Sequence, residues 1–204
     1  MGAQVLLIDF GGVLTSSVFA GFETFCTSEG LEPTRFVDCL RENPEAARLL
    51  VAVEEGKITD EAFARDFAPF LGPDVSPDGL IDRLTGHLER DESMISAVAS
   101  LRSAGVTTVL VSNSFGYSAY EGYELDELFD HIVISGDVGK RKPSRRIYRH
   151  AMALAGTTPN WCVFVDDIQQ NIDAAERIGI EAILHERAEE TIPRLEAAFG
   201  LAIA

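Results

Sequence analysis

The sequence is poor in cysteine and in positive charge, and it has no long apolar run. Its three cysteines, Cys26, Cys39 and Cys162, are an odd number, widely spaced and without a CxxC pair. That pattern argues against a disulfide framework or a cysteine zinc site, and for small buried hydrophobes in a reducing compartment. Lys and Arg number 17 against 33 Asp and Glu, a net charge of −16. A chain of that sign repels nucleic-acid backbones and anionic membranes, so neither is expected as a partner. A small phosphorylated substrate stays open, because a bound divalent cation reverses the sign locally. No stretch approaches the roughly eighteen apolar residues of a membrane span. The opening run, Met1 to Ile8, lacks a basic start and is too short for a secretory signal, so a cytoplasmic location is expected.

What is present reads as an α/β protein. The 204 residues and 46% hydrophobic content fit one domain, or one domain with a smaller inserted unit. Short apolar runs occur at Gln4 to Asp9, Thr107 to Val111, His131 to Ile134, Trp161 to Val165 and Glu181 to Leu184. Continuous β-branched runs of this kind suit a parallel sheet covered on both faces. Helical patterns lie between or after them, at Asp91 to Ser103, Ser144 to Ala155, Ile168 to Ile178 and Ala188 to Phe199. The alternation predicts a doubly wound parallel sheet with a Rossmann-like core. From about Ser16 to about Arg90 the alternation stops and only helical stripes appear, such as Ala46, Leu49, Leu50, Val53 and Phe63, Phe67, Phe70. Thr59 is the expected N-cap of one of these helices. The expected organisation is a core of residues 1–15 and 91–204 with a small helical cap, 16–90, inserted after the first strand. Its aromatics, Phe19, Phe22, Phe25 and Phe36, are expected in the cap's own core.

In an open parallel sheet, ligands sit beyond the carboxyl ends of the strands. The first strand ends in Asp9, the second in Ser112-Asn113 and the fourth in Asp166-Asp167, while Lys142 follows the third and precedes a helix. Each type suits phosphoryl transfer. A carboxylate can be phosphorylated and then hydrolysed. Paired carboxylates hold magnesium, which offsets repulsion between anionic nucleophile and anionic substrate. Ser112 and the Asn113 backbone can donate to phosphoryl oxygens, and a lysine neutralises charge on the transferring group. Taken singly, Ser112-Asn113 reads as a turn and Lys142 as a surface lysine. Their order at four strand ends is the signal. The histidines, His87, His131, His150 and His185, show no ligand spacing.

Four segments, VLLIDFGGVLTSS, VLVSNSFG, SGDVGKRKPSRRIY and CVFVDDIQQNIDAA, resemble in order the four motifs of the haloacid dehalogenase-like hydrolase superfamily. The FGGVL, SNS and SGDVGKRKP wording is similar to the branch containing the N-terminal phosphatase domain of soluble epoxide hydrolases. The resemblance implies a magnesium-dependent phosphatase with Asp9 as nucleophile and Ser112 on the phosphoryl group. Lys142 would be the motif lysine, and Asn113 would join it and Ser112 in binding substrate. Magnesium would be held by Asp9, the Gly11 carbonyl and Asp166, with Asp167 acting through water or by holding Lys142. Asn171 matches a position that braces the loop.

One position departs from the pattern. Phosphatases of this superfamily usually carry a second aspartate two residues after the nucleophile, as general acid and base; here it is Gly11. A positioned acid or base contributes about 10²–10⁴-fold. Good leaving groups, as in acyl phosphates or sugar 1-phosphates, would suffer least. Alternatively a cap residue or bound water supplies the proton. Glu23, Asp38, Glu54 and Glu55 are the candidate donors in the cap, each expected first as solvated helix surface. Three other readings stay open: a dehalogenase, against which Asp166-Asp167 argues; a phosphonate hydrolase, which needs a cap lysine, here only Lys57; and a catalytically silent phosphate- or partner-binding protein.

Overall fold

The structure, a computed structural model, describes residues 2–203. Five parallel strands form one sheet: β1 (Val5–Ile8), β2 (Thr107–Ser112), β3 (His131–Ile134), β4 (Cys162–Asp166) and β5 (Glu181–Leu184), in the order β3-β2-β1-β4-β5. The chain builds outward from β1 through β2 to β3, then crosses back to add β4 on β1's other side. Between β1 and β4 the order reverses, which is where a doubly wound sheet opens a crevice at its carboxyl edge.

Among the described helices, α1 (Val18–Ser28), α2 (Arg35–Glu42), α3 (Pro44–Glu54), α4 (Asp60–Leu71) and α5 (Leu80–Thr85) follow β1. Then come α6 (Glu92–Ser103), α7 (Leu125–Leu128), α8 (Ser135–Val138), α9 (Arg145–Leu154), α10 (Gln169–Glu176) and α11 (Ala188–Phe199). Successive β1 side chains point to opposite faces. Leu6 and Ile8 pack with Val98 and Leu101 of α6 and Leu195 of α11. Val5 and Leu7 join Ile147 and Tyr148 of α9 and Ile172 of α10. Both faces are covered, and all four β1 residues are buried. That is why the strand reads as an unbroken apolar run rather than an alternation.

Helices α1 to α5 enclose a separate core around Phe25, Phe36, Phe63, Phe67 and Leu84. Phe63 and Phe67 stack with ring centroids 4.8 Å apart. α4 starts at Thr59, whose Oγ1 accepts from the Ala62 amide at 3.2 Å. Asp60 and Glu61 in its first turn complement the helix dipole. The two segments linking this unit to the sheet lie side by side. Thr15 and Arg90 form an antiparallel bridge, Ser16 N donates to Glu89 O at 2.7 Å, and Asp91 N donates to Leu14 O at 2.9 Å. Among the described residues, no helix is long and apolar enough to cross a membrane.

Candidate active site

Asp9 leaves β1 while its amide still pairs with Val165 O at 2.9 Å, which fixes it against β4. Phe10 N donates to Asp9 Oδ1 at 2.7 Å. Across the crevice, Lys142 is locked by its main chain. Its amide donates to Asn113 Oδ1 at 2.8 Å, and Asn113 Nδ2 donates back to Lys142 O at 3.2 Å. The Asn113 side chain therefore joins the end of β2 to the Lys142 loop. The Lys142 Nζ, on a residue 1% exposed, reaches Asp9 Oδ1 at 2.5 Å and Asp166 Oδ2 at 2.7 Å. Its salt bridges thus run to Asp9 and Asp166 rather than to Asp167. Asp166 is braced from its other oxygen, which accepts from Ile168 N at 2.9 Å and Asn171 Nδ2 at 2.8 Å.

Carboxylate oxygens of Asp9, Asp166 and Asp167 lie within 4.8 Å of one another. One lysine faces three acids, so negative charge is in excess in a buried place. Burial, with Asp166 and Asp167 nearby, pushes the Asp9 carboxyl well above its ordinary range, although Lys142 pulls it down. Burial and then the Asp166 charge push Asp167 up to about 6. Burial opposes the Lys142 charge, yet the Asp166 and Asp9 carboxylates hold that ammonium above its ordinary range. An all-oxygen donor set of this charge fits a hard divalent cation such as magnesium, which would relieve the repulsion. The turn after Asp9 presses on this cluster. Gly12 has φ +74°, and a Cβ there would fall 2.2 Å from Asp167 Oδ2.

A cavity of about 330 Å³ opens on Asp9, Ser112 and Lys142 from the sheet side. The helical unit closes it with Val18, Phe22, Leu40, Leu50 and Glu54. A larger hollow, about 540 Å³, reaches Asp167 from another side past Asp91 and His185, but neither Asp9 nor Lys142 lines it. The smaller cavity is therefore the one onto which Asp9, Ser112 and Lys142 open.

Sheet order, strand-end acids and buried lysine agree with the sequence comparison: the model of the haloacid dehalogenase-like hydrolases matches residues 3–179. The chain belongs to this family. It is 29% identical over 154 residues to mouse acyl-CoA dehydrogenase family member 10 (72% of this chain, 14% of that protein). It is 31% identical over 114 residues to rat bifunctional epoxide hydrolase 2 (52% and 21%). The branch its motif wording resembles is thus among its relatives. The chain spans only a small part of both mammalian proteins. It is 30% identical over 132 residues to a sesquiterpene phosphatase of Aspergillus oryzae (62% and 67%). Its fold matches that of a Bacteroides thetaiotaomicron family enzyme in a magnesium complex, with a TM-score of 0.69 at 20% identity over 91% of this chain and 94% of that one.

In this haloacid dehalogenase-like hydrolase, Ser112 meets a residue that sequence reasoning did not single out. Its Oγ lies 2.8 Å from the Tyr120 hydroxyl, and burial raises the Tyr120 pKa. Nothing in the SFGYSAY segment marks Tyr120 over Tyr117. Phe22, Phe25 and Phe36 are in the helical core as expected, Phe22 also lining the cavity, but Phe19 is 48% exposed and lines the cavity from outside that core. Lys57 does not line that cavity. Its side chain is 67% exposed and pairs with Glu55 at 2.5 Å, which argues against the cap-lysine phosphonate reading. Glu23 is exposed, but Glu54 is not the solvated helix residue its sequence implies: it is 8% exposed. The end of α3 packs on the segment after β3, where Ser135 Oγ donates to Glu54 O and Arg141 Nε lies 2.5 Å from Glu54 Oε2. His185 is buried, its Nδ1 2.8 Å from Thr191 Oγ1, and burial lowers its pKa.

Proposed function

We propose that this chain is a magnesium-dependent phosphoric monoester hydrolase that works through an aspartyl-phosphate on Asp9. The observation that carries the reading is the pairing of buried Asp9 with buried Lys142 at 2.5 Å, inside a cavity and beside two further carboxylates. Lys142 fixes which Asp9 oxygen stays paired and keeps a positive charge where phosphoryl oxygens arrive. Ser112, with Tyr120 behind it, offers a hydroxyl to the same oxygens. Magnesium, when held by Asp9, the Gly11 carbonyl and Asp166 with Asp167 beside them, supplies charge neutralisation. Asn171 and the Ile168 amide hold Asp166 in place. Support for the metal also comes from the magnesium complex of the Bacteroides fold neighbour.

Residues 16–90 act in this reading as a cap that excludes water, moving about the paired segments near Thr15 and Arg90. The cap side of the cavity is mostly apolar, with Phe19, Phe22, Leu40, Leu50 and Leu88. It favours a small phosphorylated metabolite whose organic part is apolar or aromatic, in keeping with an Aspergillus relative named a sesquiterpene phosphatase. We place the protein in the cytoplasm, away from nucleic acid.

The test is a magnesium-dependent phosphate-release screen over aryl, prenyl, alkyl, sugar and acyl phosphates, with Asp9→Asn as control. Turnover that needs magnesium and disappears in Asp9→Asn supports the reading. Inorganic phosphate binding without turnover on any ester would replace it with the silent binder, which Gly11 favours.

A further inference from the structure

We propose that Glu54, at the end of α3, is the proton carrier of this site, protonating the leaving oxygen and then accepting the proton of the attacking water. This rests on the hydrolase reading above. The usual place for such a group is filled: a Cβ at Gly11 would lie 2.7 Å from Val18 Cγ2, so an apolar side chain occupies the approach. Among the described residues, three acidic residues line the reaction cavity: Asp9, Asp167 and Glu54. Asp9 forms the bond to phosphorus and Asp167 belongs to the metal cluster. Tyr120, the phenol of the cavity, is a poor donor because burial raises its pKa.

Glu54 has the properties of a placed group. Its carbonyl accepts from Ser135 Oγ, whose own oxygen accepts from Ser114 N at 2.7 Å, so the end of α3 is tied to the ends of β2 and β3. Gly56, two residues on, has φ +67° and lets the chain pass so close that a Cβ would sit 2.3 Å from Gly136 O. Arg141 Nε lies 2.5 Å from Glu54 Oε2, an ion pair that holds the carboxyl although the N–H is poorly aligned for a hydrogen bond. A contact aligned so poorly leaves hydrogen-bonding capacity that a water can fill, and the protonated carboxyl can donate to an incoming ester oxygen. The charged groups around it are Arg141, Lys142 and Glu55. Burial raises the Glu54 pKa, while Arg141 and then Lys142 lower it, and the net shift is upward, toward the pH at which one group can both give and take a proton. Arg141 would then steady the anion between the two steps.

The atoms balance. In the first step an Asp9 oxygen bonds to phosphorus, the ester P–O bond breaks, and the alkoxide takes the Glu54 proton to leave as an alcohol. In the second, water bonds to phosphorus and gives a proton to Glu54, and the P–O bond to Asp9 breaks, releasing phosphate.

The experiment is rapid acid-quench of the whole protein with magnesium, using 4-nitrophenyl phosphate, whose leaving group needs no proton, and n-butyl phosphate, whose leaving group does. For Glu54→Gln, nitrophenolate should appear in a stoichiometric burst with the phosphoenzyme accumulating. Steady-state turnover should fall by about 10²–10⁴-fold. With n-butyl phosphate, phosphoenzyme formation itself should fall by a similar factor. Glu54→Asp should retain part of the activity with a shifted pH profile. Magnesium titration of each variant checks that the site is intact. A Glu54→Gln protein that binds magnesium and turns over both esters at wild-type rates would overturn the proposal. Equal loss of phosphoenzyme formation on both esters would do the same. No turnover of either ester by the wild type would overturn the hydrolase reading and this one with it.

Discussion

Replacing Lys142 by Met should cost stability in a way that depends on pH. Lys142 and Asp166 are almost fully buried and Asp9 is 7% exposed, with Nζ–carboxylate distances of 2.5 and 2.7 Å. Removing one partner of a buried ion pair leaves the other charge uncompensated, at a cost of about 3–5 kcal/mol. Methionine keeps most of the stem volume, so little of that cost is a cavity. For a chain of this size each kcal/mol moves the melting temperature by roughly 2–4 °C, so the fall should be roughly 6–20 °C in the absence of divalent metal. The sign with pH follows from Asp9, whose carboxyl already lies above its ordinary range because of burial and which loses its main lowering neighbour. A folded-state pKa raised above the unfolded value contributes stability at low pH that is lost as pH rises through the folded value. The deficit of Lys142→Met should therefore be widest near pH 8 and narrow toward pH 5. Asp9→Asn added to it should recover stability, because one stranded charge is gone. Melting curves in EDTA from pH 5 to 8 measure this. A Lys142→Met protein within about 1 kcal/mol of wild type at every pH would show that the lysine does not compensate the acids.

Other outcomes follow from close approaches of the backbone. Gly12→Ala should push Asp167 aside and weaken magnesium binding by about 10–100-fold, read by titration calorimetry. Gly56→Ala meets the immovable Gly136 carbonyl and should cost about 1–3 kcal/mol together with activity. Gly30→Ala, at φ +74° with open space around it, should cost only the left-handed conformation, about 1–2 kcal/mol, and keep activity; urea midpoints and phosphate release separate the two. Gly11→Asp with Val18→Ala opens the blocked approach and, in a Glu54→Gln background, should restore at least about tenfold of the lost n-butyl phosphate turnover, within the range a positioned acid contributes. No recovery with magnesium binding intact would mean that position 11 cannot carry the proton even when vacated.

The elements were legible where one local rule decides them. His131–Ile134 and Glu181–Leu184 are strands over the residues their apolar runs predict, and Ala188–Phe199 is a helix over its predicted span. β2 and β4 run one residue further than their apolar runs, because main-chain pairing continues through a polar side chain: Ser112 pairs with Ile134, and Asp166 with Leu184. Those extra residues carry the site, so the strand ends and the chemistry coincide. Acids at strand ends can be read because the sheet's direction assigns them an edge. Lys142 was legible as a motif position, but its burial was not, since beside Arg141 and Lys140 it looks solvated until Asn113 ties its backbone to β2. Glu54, one of four candidate donors in the sequence, could not be singled out for the same reason. In VEEGK two adjacent glutamates look like a solvated helix end, and only the approach of Ser135 and Arg141 separates them, burying Glu54 and leaving Glu55 to pair with Lys57. Gly11 could be read as a missing acid, whereas Val18, which fills its place, comes from the first turn of α1. Local pattern therefore locates the proposed nucleophile and the acids clustered beside it on the sheet. The group facing them across the cavity depends on how α3 docks, which its own sequence does not encode.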